Sequence, residues 1–262
     1  MRFVIICAPR TGSSHLVSVL GGHPDVLANG NVFDARRNRL YAFWPKEDLT
    51  REVKTELIDL RARNPEEFLE RIFSKNYGKQ HVGFKIFRQE NDAVLHRMIE
   101  DDAIRKIVLY RRNILAIFSS ARVARKTGKY GIREESEKIV ATPKIKFDEE
   151  WFIKFHQKYT SFFRDVLERL NRSQQQIFFV NYEDINEPPV LGALLTFIGA
   201  NPSANISPEN QIKRHRKQNS TDILSRFQDP DVVQTFLHEH GLLHWMHEGE
   251  LGLSAVFDGS ES

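Results

Sequence analysis

The sequence predicts an α/β fold built on a mainly parallel sheet, and three observations carry that prediction. Four apolar runs, Phe3 to Cys7, Val82 to Ile86, Ile104 to Tyr110 and Ile177 to Val180, have the length and continuity of strands buried on both faces. Each is followed by a polar turn and then by apolar residues at helical spacing, the alternation from which parallel sheets are made. Helical stripes also lie between the runs. Pro65 to Tyr77 opens with Asn64 as its cap and lines up Phe68, Leu69, Ile72 and Phe73. Asp148 to Leu170 places Trp151, Phe152, Phe155, Tyr159, Phe162 and Phe163 at helical spacing, which assigns these rings to the core rather than to a ligand cage.

A chain of 262 residues without a Pro/Gly/Ser-rich linker is expected to form one domain, 1–262. A hydrophobic content of 40% with 28% charged residues excludes disordered and fibrous classes. The net charge of +3, from 38 basic and 35 acidic residues, gives no basis for nucleic-acid binding, yet tolerates a small anionic ligand. Cys7 is the single cysteine, so no intramolecular disulfide is expected, and its apolar setting reads as a buried thiol in a reducing compartment. The run Phe3 to Ala8 is too short for a signal-peptide core or a membrane span, and a cytoplasmic location is expected. From Asn201 to Asp229 the pattern turns irregular, punctuated by Pro202, Pro208 and Pro230, as in a long loop lying over the body of the domain.

The first run leads directly into Ala8-Pro9-Arg10-Thr11-Gly12-Ser13-Ser14-His15-Leu16, and helical spacing follows through Val17, Val19 and Leu20. A strand, a tight loop and a helix N-terminus form an anion site. The helix offers unpaired N–H groups and the positive end of its dipole, Gly12 lets the backbone approach closely, and Ser13 and Ser14 add hydroxyls. The nucleotide triphosphatase loop requires a lysine directly after its second glycine, and Ser13 stands there instead. That departure argues against ATP hydrolysis. The loop's own cation is Arg10.

Pro9-Arg10-Thr11-Gly12-Ser13-Ser14 resembles the 5′-phosphosulfate loop of the sulfotransferases that use 3′-phosphoadenosine 5′-phosphosulfate (PAPS), in particular their bacterial carbohydrate branch with the nodulation and trehalose enzymes. A second stretch, Arg112-Asn113-Ile114-Leu115-Ala116-Ile117-Phe118-Ser119-Ser120, is similar to the family's 3′-phosphate motif, with Arg112 and Ser120 as the matching pair and Arg111 with Ser119 as the alternative register. An arginine at a strand end and a serine two turns into the next helix can converge on one dianion. Thr127-Gly128-Lys129-Tyr130, Val82 to Phe87 and Asn181-Tyr182-Glu183-Asp184 resemble further family segments, and Arg214 to Asn219 resembles the basic segment that closes over the nucleotide.

The resemblance implies a P-loop-NTPase-like three-layer sandwich in which 201–262 covers the nucleotide. PAPS would be bound by Arg10, Thr11, Gly12, Ser13, Ser14, Arg112, Ser120, Arg216 and Lys217, and a hydroxyl, on a carbohydrate or glycolipid, would receive the sulfuryl group. Adenosine 3′,5′-bisphosphate would leave, with no metal required. His238, His240, His244 and His247 lack a recognised ligand spacing and read as a surface helix. The family's general-base glutamate falls at Asn31, within His23-Pro24-Asp25-Val26 to Asn31-Val32-Phe33-Asp34. Asparagine orients a hydroxyl but takes no proton from it. Asp34 is the favoured substitute base and His15 the other candidate. A weakly catalytic PAPS-binding protein and a small-molecule kinase are the rival functions.

Overall fold

The computed structural model describes residues 1–34, 40, 42–88, 90–128, 142–204, 206 and 220–248. Among them five parallel strands form one sheet in the order β2-β3-β1-β4-β5. They are β1 (Arg2–Cys7), β2 (Val26–Asn29), β3 (His81–Phe87), β4 (Ile104–Tyr110) and β5 (Ile177–Asn181). The four runs read from the sequence are β1, β3, β4 and β5. The sequence reading did not contain β2, because four residues squeezed between a His-Pro turn and Gly30 leave no periodicity to detect.

Residues alternate along β1 between two cores. Phe3, Ile5 and Cys7 pack with Leu16 and Leu20 of α1 (Ser13–Gly21) and with Leu194 and Leu195 of α7 (Pro188–Phe197). Val4 and Ile6 face the larger core. That side is covered by α2 (Arg51–Arg63), α3 (Pro65–Ser74), α4 (Asp92–Glu100), α5 (Ile114–Thr127), α6 (Glu149–Ser173) and α8 (Pro230–Glu239). Helices on both faces of a parallel sheet give the three layers expected, and Cys7 is fully buried between them.

The caps fall where the sequence places them. Asn64 Oδ1 accepts the Glu67 N–H at 3.2 Å, and Asp148 Oδ1 accepts that of Trp151 at 2.9 Å. α3 stops at Ser74, short of the expected Tyr77, because Lys75 already leaves helical geometry with a ψ of 83°, ahead of the positive φ values of 51° and 76° at Tyr77 and Gly78. The aromatic residues of α6 are core. Phe118 meets the rings of Trp151, Phe152 and Phe155 at 5.3 to 5.8 Å, all close to edge-on.

Beyond Ala204 the described chain resumes at Ser220, apart from Ile206. Ile145 N–H donates to Arg226 O at 2.9 Å and lays this segment against the entry to α6. Of the histidines, His238 lies in the last turn of α8, His240 stacks on Phe236 at 4.1 Å between centroids, and His244 sits in a 3₁₀ turn, Leu243–Trp245. Among the described residues no helix is long and apolar enough to cross a membrane.

One buried charge has a consequence for stability. Lys106 of β4 is fully buried, with its ammonium on the Asp101 carbonyl and Gln175 Oε1, and burial pulls its pKa down to about 8. An unfolded lysine titrates at about 10.4, so above the folded value the unfolded chain binds more protons and Lys106 contributes stability that grows with pH. Cys7, pushed up to about 12 by burial, acts in the opposite sense, which makes the informative quantity a difference between two proteins. Urea denaturation between roughly pH 7 and 10 is expected to show that Lys106→Met removes a positive slope of at most about 1.4 kcal/mol per pH unit. Parallel stability curves for the two proteins would contradict this.

Candidate functional site

The register levels the C-terminal ends of the central strands, pairing Cys7 with Phe87 on one side and with Leu109 on the other. The loops leaving β1, β3 and β4 therefore emerge together, at the edge where parallel α/β sheets bind ligands.

The loop after β1 owes its shape to Arg10 and Gly12, with φ values of 71° and 79°. Thr11 is buried beneath it and donates to Ala8 O at 2.7 Å. Gly12 O then accepts from His15 N at 2.9 Å and Leu16 N at 3.1 Å, which starts α1 and leaves its first N–H groups facing the loop. A Cβ on Gly12 would lie 2.4 Å from Tyr182 Cδ2, so the position needs glycine for space as well as for φ.

Lys85, from β3, reaches this loop. Its ammonium donates to Ser13 Oγ at 3.2 Å and to Ser14 Oγ at 2.7 Å. A buried cation thus stands beside the helix N-terminus although the loop has no lysine after Gly12. The sequence reading gave Val82 to Phe87 only a structural part and missed this; the signal was a lysine inside a run buried on both faces.

The two stretches that resemble phosphate motifs meet. Arg10 Nε donates to Ser120 Oγ at 2.9 Å, across 110 positions of sequence. Arg111 and Ser119, the alternative register, belong to a different network. Arg111 lies 4.1 Å over the Tyr182 ring, donates to Arg10 O at 3.2 Å and pairs with Glu248 Oε1 at 2.6 Å. Arg226 pairs with the same Glu248 oxygen at 2.5 Å and donates to Ser119 Oγ at 3.0 Å. All three charged side chains are almost wholly buried. Burial lowers the Arg226 pKa and the contact with Glu248 opposes the change. Arg112 is half-buried beside this network.

Asn31 is buried where β2 leaves the sheet, and its Nδ2 donates to Glu90 Oε1 at 2.9 Å. The other oxygen of Glu90 accepts the Phe87 N–H at 2.9 Å. Sequence reasoning passed over Glu90, an acid just past the C-terminal end of a buried strand. Asp34 folds back through its N–H to Asn31 O at 3.3 Å. Its charge and that of Glu90 favour the cation of Arg61, whose pKa burial lowers and whose Nη1 holds Val32 O at 2.8 Å. His15 turns to Asn186, with Nε2 2.6 Å from Oδ1. Arg216 and Lys217, expected at the nucleotide, and Lys129 and Tyr130 lie outside the described residues. Among the described residues no group of three or more His, Cys, Asp or Glu could hold a metal ion.

No family model matches the chain. It is 25% identical over 231 residues to Nodulation protein H of Rhizobium tropici, covering 86% of each protein. To Nodulation protein H of Rhizobium meliloti (strain 1021) it is 25% identical over 217 residues, covering 81% of this chain and 82% of the relative. Among solved structures, the sulfotransferase domain from the Synechococcus PCC 7002 olefin synthase superposes with a TM-score of 0.52 at 18% identity, over 89% of this chain and 82% of that one. The fold is shared with a sulfotransferase domain, and the resemblance to the bacterial carbohydrate branch is borne out.

The fit of Tyr182 against the loop can be tested with two glycines. Gly12→Ala must place a methyl inside the ring and hold an L residue at positive φ, whereas Gly78, with φ 76°, has nothing within 4 Å of such a methyl. Gly78→Ala is expected to cost about 1–2 kcal/mol from backbone conformation alone, and Gly12→Ala a further ~1–3 kcal/mol from overpacking. Equal losses in denaturant unfolding would show that Tyr182 does not constrain the loop.

Proposed function

From a chain that shares the sulfotransferase fold and resembles the bacterial carbohydrate branch over most of its length, we propose a sulfotransferase that moves the sulfuryl group of PAPS onto a hydroxyl, in the carbohydrate or glycolipid class of acceptors. The observation that carries the reading is the joining of two anion sites on one edge. The first N–H groups of α1, with Lys85 on the Ser13 and Ser14 hydroxyls, make one; Ser120, held by Arg10, marks the other.

The residues present suit the donor. Gly12 lets the loop take its positive φ against the Tyr182 ring, so that the backbone N–H groups can meet the 5′-phosphosulfate, and Lys85 supplies the charge that Ser13 cannot. The 3′-phosphate is assigned to Arg112 and Ser120, the pair that matches the family motif, while Arg111 and Ser119 hold Glu248 and Arg226. Arg216 and Lys217 would complete its shell, as part of a 201–262 segment that covers the nucleotide within a single domain. In the transfer, the acceptor oxygen bonds to sulfur while the sulfur–oxygen bond to the phosphate breaks, and adenosine 3′,5′-bisphosphate departs with the electron pair. Arg10, Lys85 and the loop N–H groups stabilise the charge that collects on the departing oxygen. No step calls for a metal. An enzyme of this kind works where PAPS is made, which is the basis for a cytoplasmic location.

Calorimetry tests the nucleotide. Adenosine 3′,5′-bisphosphate is expected to bind at least about tenfold more tightly than AMP or ATP, the worth of one or two charge-assisted hydrogen bonds to the 3′-phosphate. Equal affinities would refute the PAPS assignment. Arg10→Ala is expected to lower kcat by about 100-fold while bisphosphate affinity falls less than tenfold, since the guanidinium acts mainly as the bond breaks. An effect confined to KM would contradict that role.

A further inference from the structure

We propose that Glu90 is the group that removes the proton from the attacking hydroxyl and that Asn31 positions it; this rests on the sulfuryl-transfer reading above. Glu90 stands just beyond β3, the strand that also sends Lys85 to the phosphate loop. Its negative charge is felt by the Cys7 thiol, at the end of β1 where that loop begins, as well as by Arg61. Glu90 also accepts the N–H of Phe87, the residue that pairs with Cys7 where the loop begins, whereas Asp34 turns its N–H back to Asn31 O. Of the two carboxylates, Glu90 is therefore the one tied to the loop.

The carboxylate is oriented. Phe87 N–H and Asn31 Nδ2 each donate to a different oxygen at 2.9 Å, fixing the plane of the group. A carboxylate oxygen has two lone pairs, and these two donors engage one on each. Asn31 is a positioning residue, and the amide at the family's glutamate position is the donor that a carboxylate arriving from the neighbouring strand requires. Asn31 Oδ1 is buried and meets no donor among the described residues.

The step balances. The hydroxyl proton passes to a Glu90 oxygen, the freed oxygen pair forms the bond to sulfur, and the pair of the breaking sulfur–oxygen bond leaves on the bisphosphate.

The test uses the full chain, radiolabelled PAPS and water as acceptor under single-turnover conditions, with calorimetric affinities for adenosine 3′,5′-bisphosphate and PAPS. Glu90→Gln is expected to slow sulfate release by about 100-fold or more while Asp34→Asn stays within about threefold. Bisphosphate affinity should hold within about twofold. PAPS should bind severalfold more tightly relative to bisphosphate, because a negative charge facing the sulfuryl group has been removed. Glu90→Asp keeps an acceptor for Phe87 N–H and withdraws the carboxylate by one methylene, so its rate should fall between those of the native chain and Glu90→Gln. Near-native release from Glu90→Gln or Glu90→Asp, or collapse with Asp34→Asn instead, overturns the proposal. Failure of the native chain to bind bisphosphate would overturn the PAPS reading first and is distinguishable by that measurement.

Discussion

Five strands running the same way, with the ends of β1, β3 and β4 in register, place every chemically interesting loop on one edge. Parallel strands cannot be joined by hairpins, so each connection crosses a face and brings the next strand back to begin at the opposite edge. The consequence is an edge on which Arg10, Lys85, Glu90, Arg111 and Arg112 gather from segments far apart in sequence. The same crossovers bury both faces of the sheet, which allows a lysine in β3 to be held in the interior with its charge directed to two serine hydroxyls.

A second constraint comes from charges that have left water. Arg111, Arg226 and Glu248 are enclosed together, and an ion cluster of this kind persists only if each member keeps its partners. Arg226 satisfies that demand by also reaching Ser119 and the carbonyl of Ser220, while Arg111 reaches Arg10 O. The chain at 220–248 is thereby fastened to the start of α5 and to the loop after β1. Removing Glu248 alone would strand two buried guanidinium groups, a more severe change than losing all three members at once.

The sequence made the strands legible wherever the apolar run reached four residues, and the anion loop legible because glycine, serine and a following helix stand next to one another. β2 was too short to register. Lys85 and Glu90 were passed over for a different reason. A lysine inside a buried run and an acid just past its end are weak local signals, and their contacts with Ser14 and Asn31 arise only because β3 lies between β2 and β1, an arrangement set by long-range pairing. Spacing did not separate Arg112 from Arg111, since both precede a serine by eight positions, and the pairing of Arg111 with Glu248, more than 100 residues away, is likewise beyond any local pattern. Asn31 was read as a lost carboxylate, and its hydrogen bond to Glu90 changes that picture from an absence to a pairing.

The central claim is that one nucleotide carrying both a 5′- and a 3′-phosphate spans this edge. A crystal structure with adenosine 3′,5′-bisphosphate bound tests it most directly. The account predicts the 5′-phosphate on the N–H groups of the loop from Arg10 to Ser14 with Lys85 alongside, and the 3′-phosphate between Arg112 and Ser120. A nucleotide bound with its 3′-phosphate in solvent, or on Arg111 with Glu248 displaced, would contradict it.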